Sequence, residues 1–258
     1  MKQIIFKSLV VRSLVFIILI MSAVSASAQY YMNVYKNDGQ KYQFLVSDID
    51  SVSITQDIIN NPYNGYEYVD LGLPSGLKWA TCNVGASSPE FYGSYFAWGE
   101  TSPKSDYDWS TYKHCNGSSS KLTKYNVSRS SGTVDNITTL ELEDDAAHVN
   151  WGGAWRMPTY NDWNELKNNC DWRWTTLNGI KGYKVTSKSN GNSIFLPAAG
   201  FRTGADVFPA GSGDGFYWSS SLYSSSPYCA YYLYFGFSWC KLAFDNRFFG
   251  YPVRAVCP

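Results

Sequence analysis

Cys229-Ala230-Tyr231-Tyr232-Leu233-Tyr234-Phe235-Gly236-Phe237-Ser238-Trp239-Cys240-Lys241-Leu242-Ala243-Phe244 is the stretch on which the reading of this 258-residue chain turns. Its short aromatic and aliphatic runs read as two strands, Cys229 to Phe235 and Trp239 to Phe244. The wider window from Tyr223 to Tyr251 holds six Tyr, five Phe and one Trp among 29 residues, and its only charges are Lys241, Asp245 and Arg247. Leu, Ile and Val, which would normally fill a core, are reduced to Leu233 and Leu242. Strand alternation sends at most half of the rings inward, so the others are expected to face water. Tyr offers a large, rigid contact area with few rotors, and Ser and Gly adapt around it. The composition is therefore that of a recognition surface. The expected ligand-binding residues are Tyr228, Tyr231, Tyr232, Tyr234, Phe237, Trp239, Phe244, Asp245, Phe248, Phe249 and Tyr251. Ala230, Leu233, Phe235, Arg247, Gly250, Val253 and Arg254 are read as the framework between them. The competing reading is an aromatic core sheet.

Outward from this window, the chain from Tyr66 onward consists of short apolar fragments punctuated by Gly, Ser, Pro and Asn. Strands are expected at Glu67 to Leu71, Leu77 to Thr81, Tyr183 to Ser187, Ser193 to Pro197, Gly215 to Ser219 and Pro252 to Val256. One helix is expected after Pro158, with Thr159 as N-cap and Asp162 complementing the helix start. Trp163, Leu166 and Cys170 follow at helical spacing and are expected to face the core. Few helices among many strands and long loops suggest an α+β, loop-rich body over residues 66–258. No period of 20 to 50 residues repeats, which disfavours a solenoid or propeller. Residues 29–57 read as a small β module: Met32 to Lys36 and Lys41 to Val46 flank Asn37-Asp38-Gly39, a strong turn signal, and Ser51 to Ile54 alternates again. Turn formers across residues 58–65 suggest a linker.

At the N-terminus, Lys2, Lys7 and Arg12 precede the apolar run Leu14 to Met21 and an Ala26-Ser27-Ala28 exit. This is the layout of a cleavable secretory signal over residues 1–28, cut after Ala28. The apolar run is too short to cross the roughly 30 Å of a bilayer core. Secretion or display at the cell surface is expected, without membrane insertion. Removing the signal leaves 18 basic against 21 acidic residues, a formal charge of −3, which argues against nucleic acid as partner. Six cysteines permit disulfides in an exported protein, and their pairing is left open. No C-x-x-C pair occurs and only His114 and His148 are present, so neither a zinc site nor another metal or cofactor is expected.

Catalytic patterns are sparse. Ser219, Ser220 and Ser221 lack a G-x-S-x-G context. Glu141, Glu143, Asp144 and Asp145 form an acidic group with the chemistry for calcium or for paired carboxylates, although such groups are more often solvated loops. Gly211-Ser212-Gly213-Asp214-Gly215 precedes a strand rather than a helix, which disfavours phosphate binding.

Several segments taken in order carry a family likeness: Tyr68 to Ala80 (YVDLGLPSGLKWA), Ala97-Trp98-Gly99-Glu100, Trp155-Arg156-Met157-Pro158-Thr159, Phe195 to Arg202 (FLPAAGFR), Tyr217 to Ser221 (YWSSS) and Val253-Arg254-Ala255-Val256. Together they resemble the Fibrobacter major paralogous domain family of exported bacterial proteins. That family is similar to the formylglycine-generating-enzyme type of C-type lectin fold. The resemblance covers residues 66–258 and implies a C-type-lectin-like domain with a late sheet displaying the C-terminal segment. It also implies an enzyme alternative, because the formylglycine-generating enzymes oxidise a cysteine of a partner protein with a late, reactive cysteine pair. Here the late pair is Cys229 and Cys240, eleven residues apart and set among aromatics, without the closer spacing and basic setting of those enzymes. A second resemblance is to C-type-lectin proteins diversified by retroelements, whose variable segment lies at the same C-terminal place. Randomised Asn codons there yield Tyr, Phe, Ser, Cys, Gly and Asp, a repertoire that fits this segment except at Trp239 and Lys241. The resulting expectation is a secreted or surface-displayed binder of a protein or carbohydrate ligand. An enzyme and a structural or fimbrial surface component are the alternatives.

Overall fold

The computed structural model describes residues 17–18, 31–35, 41–45, 63–208 and 213–258. The chain divides into two compact units, Met1–Asp57 and Ile58–Pro258. Outside the described residues lie the signal exit at Ala26 to Ala28, the turn Asn37-Asp38-Gly39, the run Ser51 to Ile54, the first five residues of the expected linker, and Gly211-Ser212. In the first unit, β2 (Tyr31–Tyr35) and β3 (Lys41–Leu45) pair antiparallel, and β1 (Ile17–Ile18) adds to β2.

The described part of the second unit opens on a turn at Tyr63 to Tyr66. Tyr63 and Tyr66 exchange backbone hydrogen bonds, and the carbonyl of Tyr63 accepts the indole N–H of buried Trp155 at 2.9 Å. Beyond it come β4 (Tyr68–Asp70), β5 (Lys78–Asn83) and β6 (Tyr95–Phe96). Two helices follow, α1 (Ala146–Trp151) and α2 (Tyr160–Asn169). The rest is strand: β7 (Cys170–Leu177), β8 (Ile180–Ser187), β9 (Ser193–Pro197), β10 (Phe201–Thr203), β11 (Asp206–Phe208), β12 (Gly215–Leu222), β13 (Cys229–Gly236), β14 (Trp239–Asn246), β15 (Tyr251–Pro252) and β16 (Arg254–Cys257). They form small antiparallel sheets, chiefly β4-β5-β16, β7-β8-β9 and β12-β13-β14.

This corrects the α+β class expected for the C-type-lectin-like domain. Among the described residues strand accounts for 42% and helix for only 11%, and helices of six and ten residues are too short to form a layer of their own. Among the described residues no helix is long and apolar enough to cross a membrane.

Local sequence explains the helix that was expected. Thr159 accepts the N–H of Asp162, whose carboxylate accepts the N–H of Thr159 at 2.8 Å, closing a capping box. Arg156 pairs with Asp162 at 2.7 Å and also donates to the Met157 carbonyl. Trp163 and Leu166 point into the core, fully buried. Cys170 is not the next helical position, because the chain turns extended there and β7 begins directly.

The β12-β13-β14 sheet lies between two hydrophobic clusters. Trp218, Ala230 and Tyr232 belong to the cluster with Trp98, Trp151, Trp155 and Tyr251. Tyr217, Leu233 and Phe235, on alternate positions, belong to the cluster with Trp79, Trp163 and Val185. Both faces of β12 and β13 are thus covered, which is why β13 is nearly continuous in apolar residues instead of alternating. Gly215 permits the close packing: a Cβ there would sit 2.1 Å from the Phe235 ring.

Indole N–H groups bind the layers, as buried tryptophans require. Trp98 donates to the Ser219 carbonyl at 2.7 Å, Trp218 to the Phe96 carbonyl at 2.8 Å and Trp163 to the Trp218 carbonyl at 3.2 Å. Two arginines are wholly buried. Arg254 donates to the carbonyls of Ala80, Thr81 and Phe195 and to Asn83 Oδ1, tying β16 to β5 and β9. Arg247 donates to the carbonyls of Lys124 and Tyr125 and lies 5.2 Å from the ring centres of both Trp98 and Tyr112.

Candidate binding face

The eleven residues expected to share one face do not share one. Tyr232 and Tyr251 are 5% and 1% exposed and fill the core, because the first cluster covers their side of the sheet. They are corrected from displayed to supporting residues. The others separate into three places by strand parity. Cross-strand partners share a face, and the register sets Tyr234 opposite Lys241, Ala230 opposite Asp245 and Tyr231 opposite Phe244.

The first and largest place is the open margin of the Tyr232 face. Trp239 meets Tyr234 edge-on at 4.2 Å, Tyr234 stacks on Phe216 at 4.6 Å, and Phe216 packs on Phe201 at 5.0 Å. Phe201 stacks on Phe208 at 5.1 Å and touches Phe249 at 5.6 Å. Phe249 meets Phe248 at 4.4 Å, and Phe248 meets Trp109 at 5.2 Å. The result is a continuous ring platform whose floor is Tyr232 and Tyr251 and whose exposed members include Trp239 and Phe208, at 38% and 45%. Lys241 Nζ lies over both Tyr234 and Trp239, at 5.5 and 5.6 Å from the ring centres, placing a cation at one end. Asp245, half-buried, accepts from the Tyr251 hydroxyl at 3.1 Å and from the Asn246 N–H at 2.8 Å. Burial outweighs those bonds and raises its pKa.

The second place lies on the opposite face, where Phe244 stacks on Tyr223 at 3.8 Å and Tyr231 packs on Tyr160 of α2 at 4.5 Å. Tyr228 is exposed at the start of β13. The third is the β13–β14 turn, where Phe237, 71% exposed, faces Trp174 of β7 at 6.0 Å.

Sequence reasoning missed Trp109, Phe201, Val207, Phe208 and Phe216 as members or neighbours of the platform. Val207 and Phe208 carry the one available signal, two large apolar residues exposed on a three-residue strand. The rest become neighbours only through long-range packing. A separate concavity of about 360 Å³ lies between β4-β5 and β7-β8-β9, lined by Val69, Thr81, Leu177, Lys184, Ile194 and Phe195.

The groups weighed for catalysis have structural partners. Cys229 lies opposite Asn246 and Cys240 opposite Phe235. Six register positions separate them, about 20 Å at the rise of a strand, beyond the reach of a disulfide. Burial pushes both thiols up to about 12, the reverse of an activated thiolate. All six cysteines are free. Ser219 to Ser221 form the irregularity in the β12–β13 register, where the Ser220 N–H donates to the Pro158 carbonyl and its carbonyl accepts from Leu140.

The acidic group closes on an ammonium. Lys124 Nζ is 2.6 Å from Glu141, 2.9 Å from Glu143 and 2.6 Å from Asp144. Burial raises the Asp144 pKa, but hydrogen bonds from Lys113, Lys124 and Tyr125 outweigh it and hold the carboxyl down at about 2. Asp145 caps α1 through the N–H groups of Ala147 and His148. His114 donates from Nε2 to the Gly99 carbonyl at 2.8 Å, and burial lowers its pKa to about 4.

No protein-family model matches the chain, and neither a curated protein nor a solved structure matches it.

Proposed function

We propose that this chain is an exported binding protein, secreted or held at the cell surface, which recognises a protein or carbohydrate ligand and does no chemistry on it. The observation that carries the reading is the continuous ring platform Trp239–Tyr234–Phe216–Phe201–Phe208–Phe249–Phe248, partly open to water. A contiguous aromatic patch of that kind marks an interaction site more often than isolated exposed apolar residues do. Rings of this type stack on the apolar faces of sugars and also anchor protein contacts. Lys241 at one end and Asp245 against the floor residue Tyr251 supply polar orientation for a ligand otherwise held by burial, at about 25 cal/mol per Å² before association costs. Export rests on the layout of residues 1–28.

The test is an array of immobilised oligosaccharides together with a displayed library of peptides, probed with the chain and with the paired variant Trp239→Ala, Phe208→Ala. Specific binding that the paired variant loses by tenfold or more, about 1.4 kcal/mol, supports the platform. Specific binding that survives the substitutions unchanged removes it.

A further inference from the structure

β14 ends its sheet. Among the described residues it pairs with β13 and with no other strand, so one side of its backbone is open. Which residues present that open side follows from one bond beyond the ladder. The Arg247 N–H donates to the Tyr228 carbonyl at 3.0 Å, and this pair continues the β13–β14 register. Hydrogen-bonded and non-bonded pairs alternate in an antiparallel ladder. Trp239, Lys241, Ala243 and Asp245 therefore turn their amides toward β13, while Cys240, Leu242, Phe244 and Asn246 turn theirs outward. The Asn246 N–H is already taken by the Asp245 carboxylate, which leaves a short central run, Cys240 to Phe244, as the template.

We propose that this edge pairs with β14 of a second copy of the chain, antiparallel about a two-fold axis through Ala243. A self-pairing edge must set outward-turned residues opposite each other, which requires the axis to pass through a residue. An axis through Lys241 or Asp245 opposes like charges, and one through Phe244 opposes Lys241 and Arg247. An axis through Leu242 leaves both charges unmatched. With the axis at Ala243, Lys241 lies opposite the second copy's Asp245 twice over, on the platform face. On the other face Leu242 lies opposite the second copy's Phe244; between the charge pairs, on the platform face, the small Ala243 occupies the closest approach. Opposite charges directly across a ladder are favourable, and like charges there are not. An isologous interface of this kind is self-complementary by construction. It joins two three-stranded sheets into one of six strands and sets two ring platforms side by side. The proposal stands whether or not the platform binds a ligand; if it does, the pair is bivalent.

Sedimentation of the full chain over a range of concentrations tests the edge. The expected result is a reversible dimer, weakened by Phe244→Pro about tenfold or more, because two outward N–H donors at roughly 1 kcal/mol each are removed while the bonds to β13 are kept. A chain that stays monomeric at every concentration, or a dimer indifferent to Phe244→Pro, overturns the proposal. The register has its own test, which does not depend on the proline variant folding. Ala243→Cys under oxidising conditions is expected to cross-link to itself through position 243, since non-bonded pairs bring Cα atoms to about 4.5 Å, and Lys241→Cys is not. Cross-linking at 241 and not at 243, mapped by peptide mass, overturns the axis.

Discussion

β13 and β14 are neighbours of equal length, the first with four aromatic residues and no charge, the second with two aromatic residues and the charges Lys241 and Asp245, and they have opposite fates. Every residue of β13 except Tyr231 and Tyr234 is buried, whereas none of β14 is fully buried. The difference lies in what stands beside them. β13 has a strand on each side and a hydrophobic cluster on each face; among the described residues β14 has one neighbouring strand and an open edge. A paratope-like composition therefore identifies a surface only where the topology leaves one.

Four measurements break or sharpen that contrast. The largest effect is expected at Phe235 on β13. Truncation to Ala should cost about 3–5 kcal/mol in denaturant unfolding, as for a large buried ring, and a cost under about 1 kcal/mol would show that β13 is not core. Gly215→Ala should cost about 1–3 kcal/mol through overpacking against the same ring, and the double variant with Phe235→Ala should recover part of it. Acid should enter through the interior. The unfolded chain protonates His114 near the ordinary 6.5, while the folded chain resists until about 4, so stability falls as pH drops between those values. Asp144, held at about 2 against an ordinary 3.8, continues the fall below about pH 4. His114→Gln should flatten the upper part of the profile in thermal unfolding against pH. The smallest effect is expected at the β13–β14 turn, where Phe237→Ala should change stability by less than about 0.5 kcal/mol; a larger cost would mean that the exposed ring carries packing rather than recognition.

Local signals were legible where the physics is local. The strand Ser193–Pro197 and the start of β13 at Cys229 coincide with the sequence pattern, and Thr159 with Asp162 marked the helix start because capping acts across three residues. Other elements left no such trace. β7 follows α2 without a turn, so its Cys170 read as one more helical position. α1 spans only six residues, too few for a periodicity to show. The same limit applies to the candidate site. Tyr234, Trp239, Phe248 and Phe249 were named from composition, but Phe201, Phe208 and Phe216 join them only because β10, β11 and β12 are brought alongside. Lys124 gives no hint in sequence that it sits among Glu141, Glu143 and Asp144.

The sequence by itself determined where several of the short segments are extended, where the capped helix begins, and that the chain's end is rich in rings with few charges. Backbone preference, capping and composition act within a few residues, so they can be read along the chain. Only the tertiary structure decided the mainly β class, which faces of the central sheet are covered, and which rings meet water. Burial depends on neighbours that are distant along the chain, and no local pattern encodes them.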